Sequence, residues 1–295
     1  MSKYPNFAIV ISFFCLWLDS YMSENYQLIM GFSLIFSFGI LHGANDIVLI
    51  DMLNKSQKPI SFLKILCYYV AIVGIGVISF YLFPLLALIL FIIVSGFHFG
   101  EQQWQMLETL KKNWFKVSFQ TIYGIFILFL LFNFHQNEVQ NVVQEITSVA
   151  IPVFYISMFL KVFASILFGF LLYLFITVEN FRKQILLEVF YILVFTIIFL
   201  SSSLIWGFAI FFIIWHSIPS MIDQIKFLHI NVNFNNFKLY FKSAFLYWIA
   251  SLFGIAMLYY VFKDEKIFNA LFFSFLAAIT FPHALVILKM FNRKV

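Results

Sequence analysis

Four of the six histidines in the chain, His42, His98, His216 and His283, lie inside long apolar runs. An ionisable side chain in such a run is costly and is usually retained for function. Neutral imidazole ligates iron, copper, zinc and nickel. Catalytic zinc usually takes three protein ligands and a water, and four-coordinate structural zinc favours cysteine. Four imidazoles suit Fe(II) better, because an octahedral ion keeps two positions open for O2 and an adjacent substrate. These four residues are the expected metal ligands and the expected catalytic set. A di-iron desaturase needs more histidines than this chain has, in HxxxH and HxxHH boxes that it lacks. A bis-histidine haem protein and a non-enzymatic membrane carrier are the competing readings, and a Soret band would single out the haem. His135 and His229 fall between the apolar runs and are expected to be solvated.

The neighbours of the four histidines extend the pattern. His42 lies in Gly39-Ile40-Leu41-His42-Gly43 and His98 in Gly96-Phe97-His98-Phe99-Gly100. Both are GxxxG frames, whose small residues let helix backbones approach closely. Asp46 follows His42 by four residues and Glu101 follows His98 by three, so each carboxylate shares a helix face with its histidine. A metal-bound histidine usually donates its second N–H to such a group. Asp46 is therefore expected to orient His42, and Glu101 to orient His98. Ser220 and Asp223 continue the polar face after His216. Pro219 should free the carbonyl of Trp215 and kink its helix, and Pro282 directly precedes His283. Phe97, Phe99, Trp104, Trp206, Phe211, Phe212, Trp215 and Phe281 are expected to wall an apolar tunnel.

The elements that carry these residues must be membrane helices. The chain is 63% hydrophobic and 11% charged, against about 25% charged in a soluble domain. That excludes a soluble enzyme, a disordered scaffold and a secreted disulfide module. Cys15 and Cys67 lie inside apolar runs and read as small core residues. The net charge of +5 has no basic stripe behind it, so no nucleic acid is expected as a partner. A bilayer-crossing helix needs roughly 20 apolar residues. Such runs fall near 6–22, 27–50, 62–82, 85–106, 115–134, 152–178, 185–200, 204–221, 243–262 and 268–289. The expected fold is all-α: a polytopic transmembrane helix bundle of about ten spans, in a single integral membrane domain over 1–295. Membrane lipids are its surroundings, and the cell inner (plasma) membrane is the expected location.

Orientation follows from the basic residues in short loops. With both termini cytoplasmic, all but Lys161, Lys263 and Lys266 of the 18 lysines and arginines fall inside. The helices bearing the four histidines then all run from outside to inside. Counted from their outer starts, the histidines agree in depth to within roughly 5 Å at 1.5 Å per residue. Four imidazoles at one depth can converge on one ion.

Four segments now carry a resemblance. They are His42-Gly43-Ala44-Asn45-Asp46, His98-Phe99-Gly100-Glu101-Gln102, Trp215-His216-Ser217 and Phe281-Pro282-His283-Ala284-Leu285. In that order they resemble the bacteriorhodopsin-related (Brp/Blh) family of membrane β-carotene 15,15′-dioxygenases. The resemblance implies O2-dependent cleavage of β-carotene, or a related carotenoid, at its central double bond. It implies two molecules of all-trans-retinal as products, a rhodopsin apoprotein as their recipient, and iron held by histidines. Several family members carry a second histidine four residues after the one matching His216. Here that position is Ser220, so either His283 completes the iron set or the chemistry differs.

Overall fold

The computed structural model describes residues 4–54, 60–105, 113–261 and 265–293. Among them there are helices and no strands. This follows from the composition, because a backbone in hydrocarbon must satisfy its own N–H and C=O groups, and a helix does so within one segment. Eight helical segments are long and apolar enough to cross a membrane. Two further apolar helices, α1 (Tyr4–Asp19) and α11 (Ile185–Ser201), have 16 and 17 residues. Within the described residues, each of the ten expected runs thus falls largely on helix. The break expected at Ser201–Ser203 is present, with α12 (Leu204–Ile210) starting after an extended Ser203. The ninth run begins earlier than expected, since α14 (Phe234–Val261) places Lys238 and Lys242 on an exposed face rather than in a loop. An amphipathic helix between spans, α8 (Gln136–Thr147), was not anticipated from hydropathy because it is too polar to cross.

Of the basic residues expected to set the orientation, Lys3, Lys55, Lys58, Lys111, Lys112, Lys263 and Lys294 lie outside the described residues, as does the side chain of Lys266. Large apolar side chains face outward, as Phe154, Phe168 and Ile176 do on α9 (Val153–Thr177) at 66–68% exposure. In water such patches would drive association; in lipid they are solvated. Cys67 departs from its expected core position and is exposed, because α5 (Phe62–Leu82) buries only 17% of its apolar window.

The chain divides into two compact units. The first comprises residues within 1–35, 96–140 and 151–216. In it α7 (Asn113–Phe134) packs on α9 and α11, α1 packs on α11, and α2 (Glu24–Leu34) packs on α12. The C-terminal half of α6 (Pro84–Gln103) meets α7 backbone to backbone: a Cβ on Gly124 would overlap the Gly96 carbonyl, and one on Gly100 the Gln120 carbonyl. The close approach expected of the second GxxxG frame is realised here.

The second unit comprises residues within 36–95, 141–150 and 217–295. Here α15 (Glu265–Asn292) packs on α5 and on α4 (Asp46–Asn54), while α14 packs on α3 (Ile40–Gly43) and α13 (Ile218–His229). The α5–α15 contact is tight, since a Cβ on Gly76 would lie 2.9 Å from the Cβ of Ala278. One apolar cluster joins Leu49 to Val286, Ile287, Met290 and Phe291. Another joins Leu41 to Met221, Ile225, Tyr240 and Ala244.

Candidate metal centre

In the second unit His42 and His283 stand together, ring centroids 4.7 Å apart and nearly perpendicular. Both are buried. A π-helical stretch, Ile35–Gly39, precedes α3 and shifts the backbone register beneath His42. The Nδ1 of His42 donates to the Gly39 carbonyl, and the Nδ1 of His283 donates to Oδ1 of Asp46 at 2.8 Å. Both partners are pure acceptors, so each ring carries its proton on Nδ1 and its lone pair on Nε2. That is the tautomer in which Nε2 can ligate a metal. The ring of His283 lies over Gly43, where a Cβ would meet its Nδ1 at 3.6 Å.

Asp46 was expected to orient His42; it pairs instead with His283. The reason is local. The chain turns at Ala44 and Asn45, and α4 restarts at Asp46, so the four-residue spacing no longer puts Asp46 beneath His42. The other Asp46 oxygen, Oδ2, accepts from the Tyr69 hydroxyl at 2.8 Å.

Sequence reasoning also missed what holds the backbone of His42. Its carbonyl accepts from Gln224 Nε2 at 2.8 Å. The Tyr240 hydroxyl lies 3.0 Å from Gln224 Oε1 and 3.3 Å from the same carbonyl. Asn45 Nδ2 donates to the Tyr240 carbonyl at 3.0 Å. These partners lie about 180 residues or more from His42 and Asn45 in sequence, and no short-range spacing signals them. Ser220 is fully buried and accepts from Gln224 Nε2 at 3.2 Å. Asp223 is buried and pairs with Lys226 at 3.2 Å.

In the first unit His98 and His216 form the second pair, ring centroids 4.6 Å apart and at 79°. Both are buried. Phe212 stacks on His216, and Phe99 meets it edge-on at 4.7 Å, so two of the expected apolar walls adjoin a histidine. Trp104 does not: it packs among Phe119, Tyr123 and Phe181. Trp215 packs on Phe195 and donates to Ser12 Oγ at 3.0 Å. Glu101 is buried too, and among the described residues no donor reaches its Oε2.

His216 rides on a second π-helix, Phe211–Ser217. Pro219 sits in the first turn of α13, where a residue without an N–H is tolerated. The Tyr4 hydroxyl donates to the Ile214 carbonyl, in the last turn before it. π segments occur frequently at functional sites.

Of the two histidines expected in loops, His135 is tethered rather than solvated. Its Nε2 lies 2.9 Å from the Phe199 carbonyl and its Nδ1 lies 3.3 Å from Glu138. His229 closes α13 and is half-buried.

The structure therefore brings the four membrane histidines together as two buried pairs, His42 with His283 and His98 with His216. A nitrogen-only donor set of this kind fits a transition metal and does not fit magnesium or calcium, which take oxygen ligands. A family model described as beta-carotene 15,15'-dioxygenase matches residues 33–291. No curated protein and no solved structure matches the chain.

Proposed function

We propose an iron site for this chain, which belongs to the beta-carotene 15,15'-dioxygenase family: His42, His98, His216 and His283 hold one Fe(II). Membership makes the protein a carotenoid 15,15′-dioxygenase, and its long apolar helices make it a membrane protein. The observation that carries the iron reading is the pair of Nδ1 contacts, to the Gly39 carbonyl and to Asp46, which leave Nε2 of His42 and His283 as the lone-pair nitrogens. Common depth along outside-to-inside helices supports the assignment of both pairs to one ion.

Bound Fe(II) supplies the activation of O2 for attack on the polyene. The residues do the rest. Asp46 and the Gly39 carbonyl keep the Nδ1 protons in place. Phe99 and Phe212 exclude water from one side of the His216 ring. Cleavage places one oxygen atom on each half of β-carotene and yields two molecules of all-trans-retinal. These would serve a rhodopsin apoprotein in the same plasma membrane.

Expression in β-carotene-accumulating cells tests the activity. The expected result is loss of orange colour with retinal appearing. Intact carotene beside membrane-inserted protein would overturn the reading. Topology is checked separately by reporter fusions. Fusions after Lys58, Lys112, Lys183 and Lys238 should report cytoplasm, and those near Glu24, Glu138 and Asp264 the outside. An odd number of spans between Lys58 and Lys238 would remove the shared depth and its support for a single ion.

A further inference from the structure

Three helices of the second unit meet at Asp46. It opens α4, where the helix dipole favours a negative charge. Its Oδ1 accepts a hydrogen bond from Nδ1 of His283 on α15, and its Oδ2 accepts one from the Tyr69 hydroxyl on α5, each at 2.8 Å. Asp46 is 1% exposed and His283 3% exposed. A buried carboxylate is costly unless its lone pairs are satisfied, and one imidazole N–H satisfies only one oxygen. Without a second donor the carboxylate is free to rotate and to draw the His283 ring with it. The separation of α5 and α15 is set two helical turns from Tyr69, where Gly76 packs on Ala278. The hydroxyl is thereby held at hydrogen-bonding distance by backbone packing.

We propose that Tyr69 is a positioning residue for His283: through Asp46 it fixes the tautomer and aim of a metal-binding imidazole. This rests on the iron reading above. The test is Fe(II) affinity, measured by chelator competition on the purified full chain. His283→Ala should lose iron. Asp46→Asn should weaken binding by about 10–100-fold, as loss of an outer-shell partner typically does. Tyr69→Phe should weaken it by roughly 10-fold. In the Asp46→Asn background Tyr69→Phe should add less than about 2-fold, because residues acting in one network are not additive. A purely structural role for the hydroxyl would leave its effect intact in that background, and that result overturns the proposal. If His283→Ala keeps its iron, the four-histidine reading falls and the site reduces to three histidines. If His283→Ala loses iron while Tyr69→Phe binds like the parent, only the role of Tyr69 falls. Should Tyr69→Phe not be recovered folded, undiminished affinity in Asp46→Asn overturns the proposal equally.

Discussion

Replacing His283 with alanine is expected to strip the purified protein of iron as completely as replacing His42, His98 or His216. Each removes a ligand rather than an outer-shell group, so the loss should exceed the about 10–100-fold typical of outer-shell changes. His135 cannot substitute, since its nitrogens are engaged by Phe199 and Glu138. Ser220 offers a hydroxyl, a poor ligand for Fe(II), and that oxygen already accepts from Gln224. Conversely, Ser220→His adds an imidazole four residues from His216 and should restore iron binding in the His283→Ala background. Elemental analysis per chain, beside retinal yield, is the measurement. Full iron content in His283→Ala would reduce the site to three histidines completed by water or Glu101.

Gly100→Leu should abolish recovery of folded protein, while Gly169→Leu should leave it intact. Gly100 and Gly124 lie where α6 and α7 touch backbone to backbone, and a Cβ at either meets a carbonyl of the other helix. A carbonyl cannot move aside as a flexible side-chain end can. Overpacking commonly costs about 1–3 kcal/mol even where side chains can yield, and a native state is worth only about 5–15 kcal/mol. At Gly169 an added Cβ meets nothing within 4 Å. The check is the monodisperse fraction after extraction in mild detergent. Equal recovery of the two variants would mean that the contact does not hold the first unit together.

What could be read in advance divides along physical lines. The helices were legible because the signal is long: each is a run of about 20 apolar residues, and the bilayer permits little else. The GxxxG frame around His98 was legible because small residues four apart have one plain use. The pairing of Asp46 was not. A spacing argument assumes an unbroken α-helix, and the turn at Ala44 and Asn45 breaks it. Neither π segment was legible, because a widening by one residue leaves no mark in the spacing of apolar residues and depends on how the helices pack. Tyr69, Gln224 and Tyr240 were missed for the same reason. A hydroxyl or amide inside a span has no periodicity of its own, and its role exists only once the helices have packed. Trp104 shows the opposite error, an aromatic assigned to the tunnel by its nearness to His98 in sequence although it packs elsewhere.

The contact between Tyr4 and Ile214 separates two ways of drawing the limits of this protein. The family match covers residues 33–291. Mechanics marks out more, because α1 lies outside that stretch yet donates to the turn beneath His216 through Tyr4 and takes the indole of Trp215 on Ser12. Trimming to the matched residues would remove the donor to the Ile214 carbonyl and the acceptor of the Trp215 indole, in hydrocarbon where no water can serve. The matched segment and the packed unit are different objects here, and α1 belongs to the second.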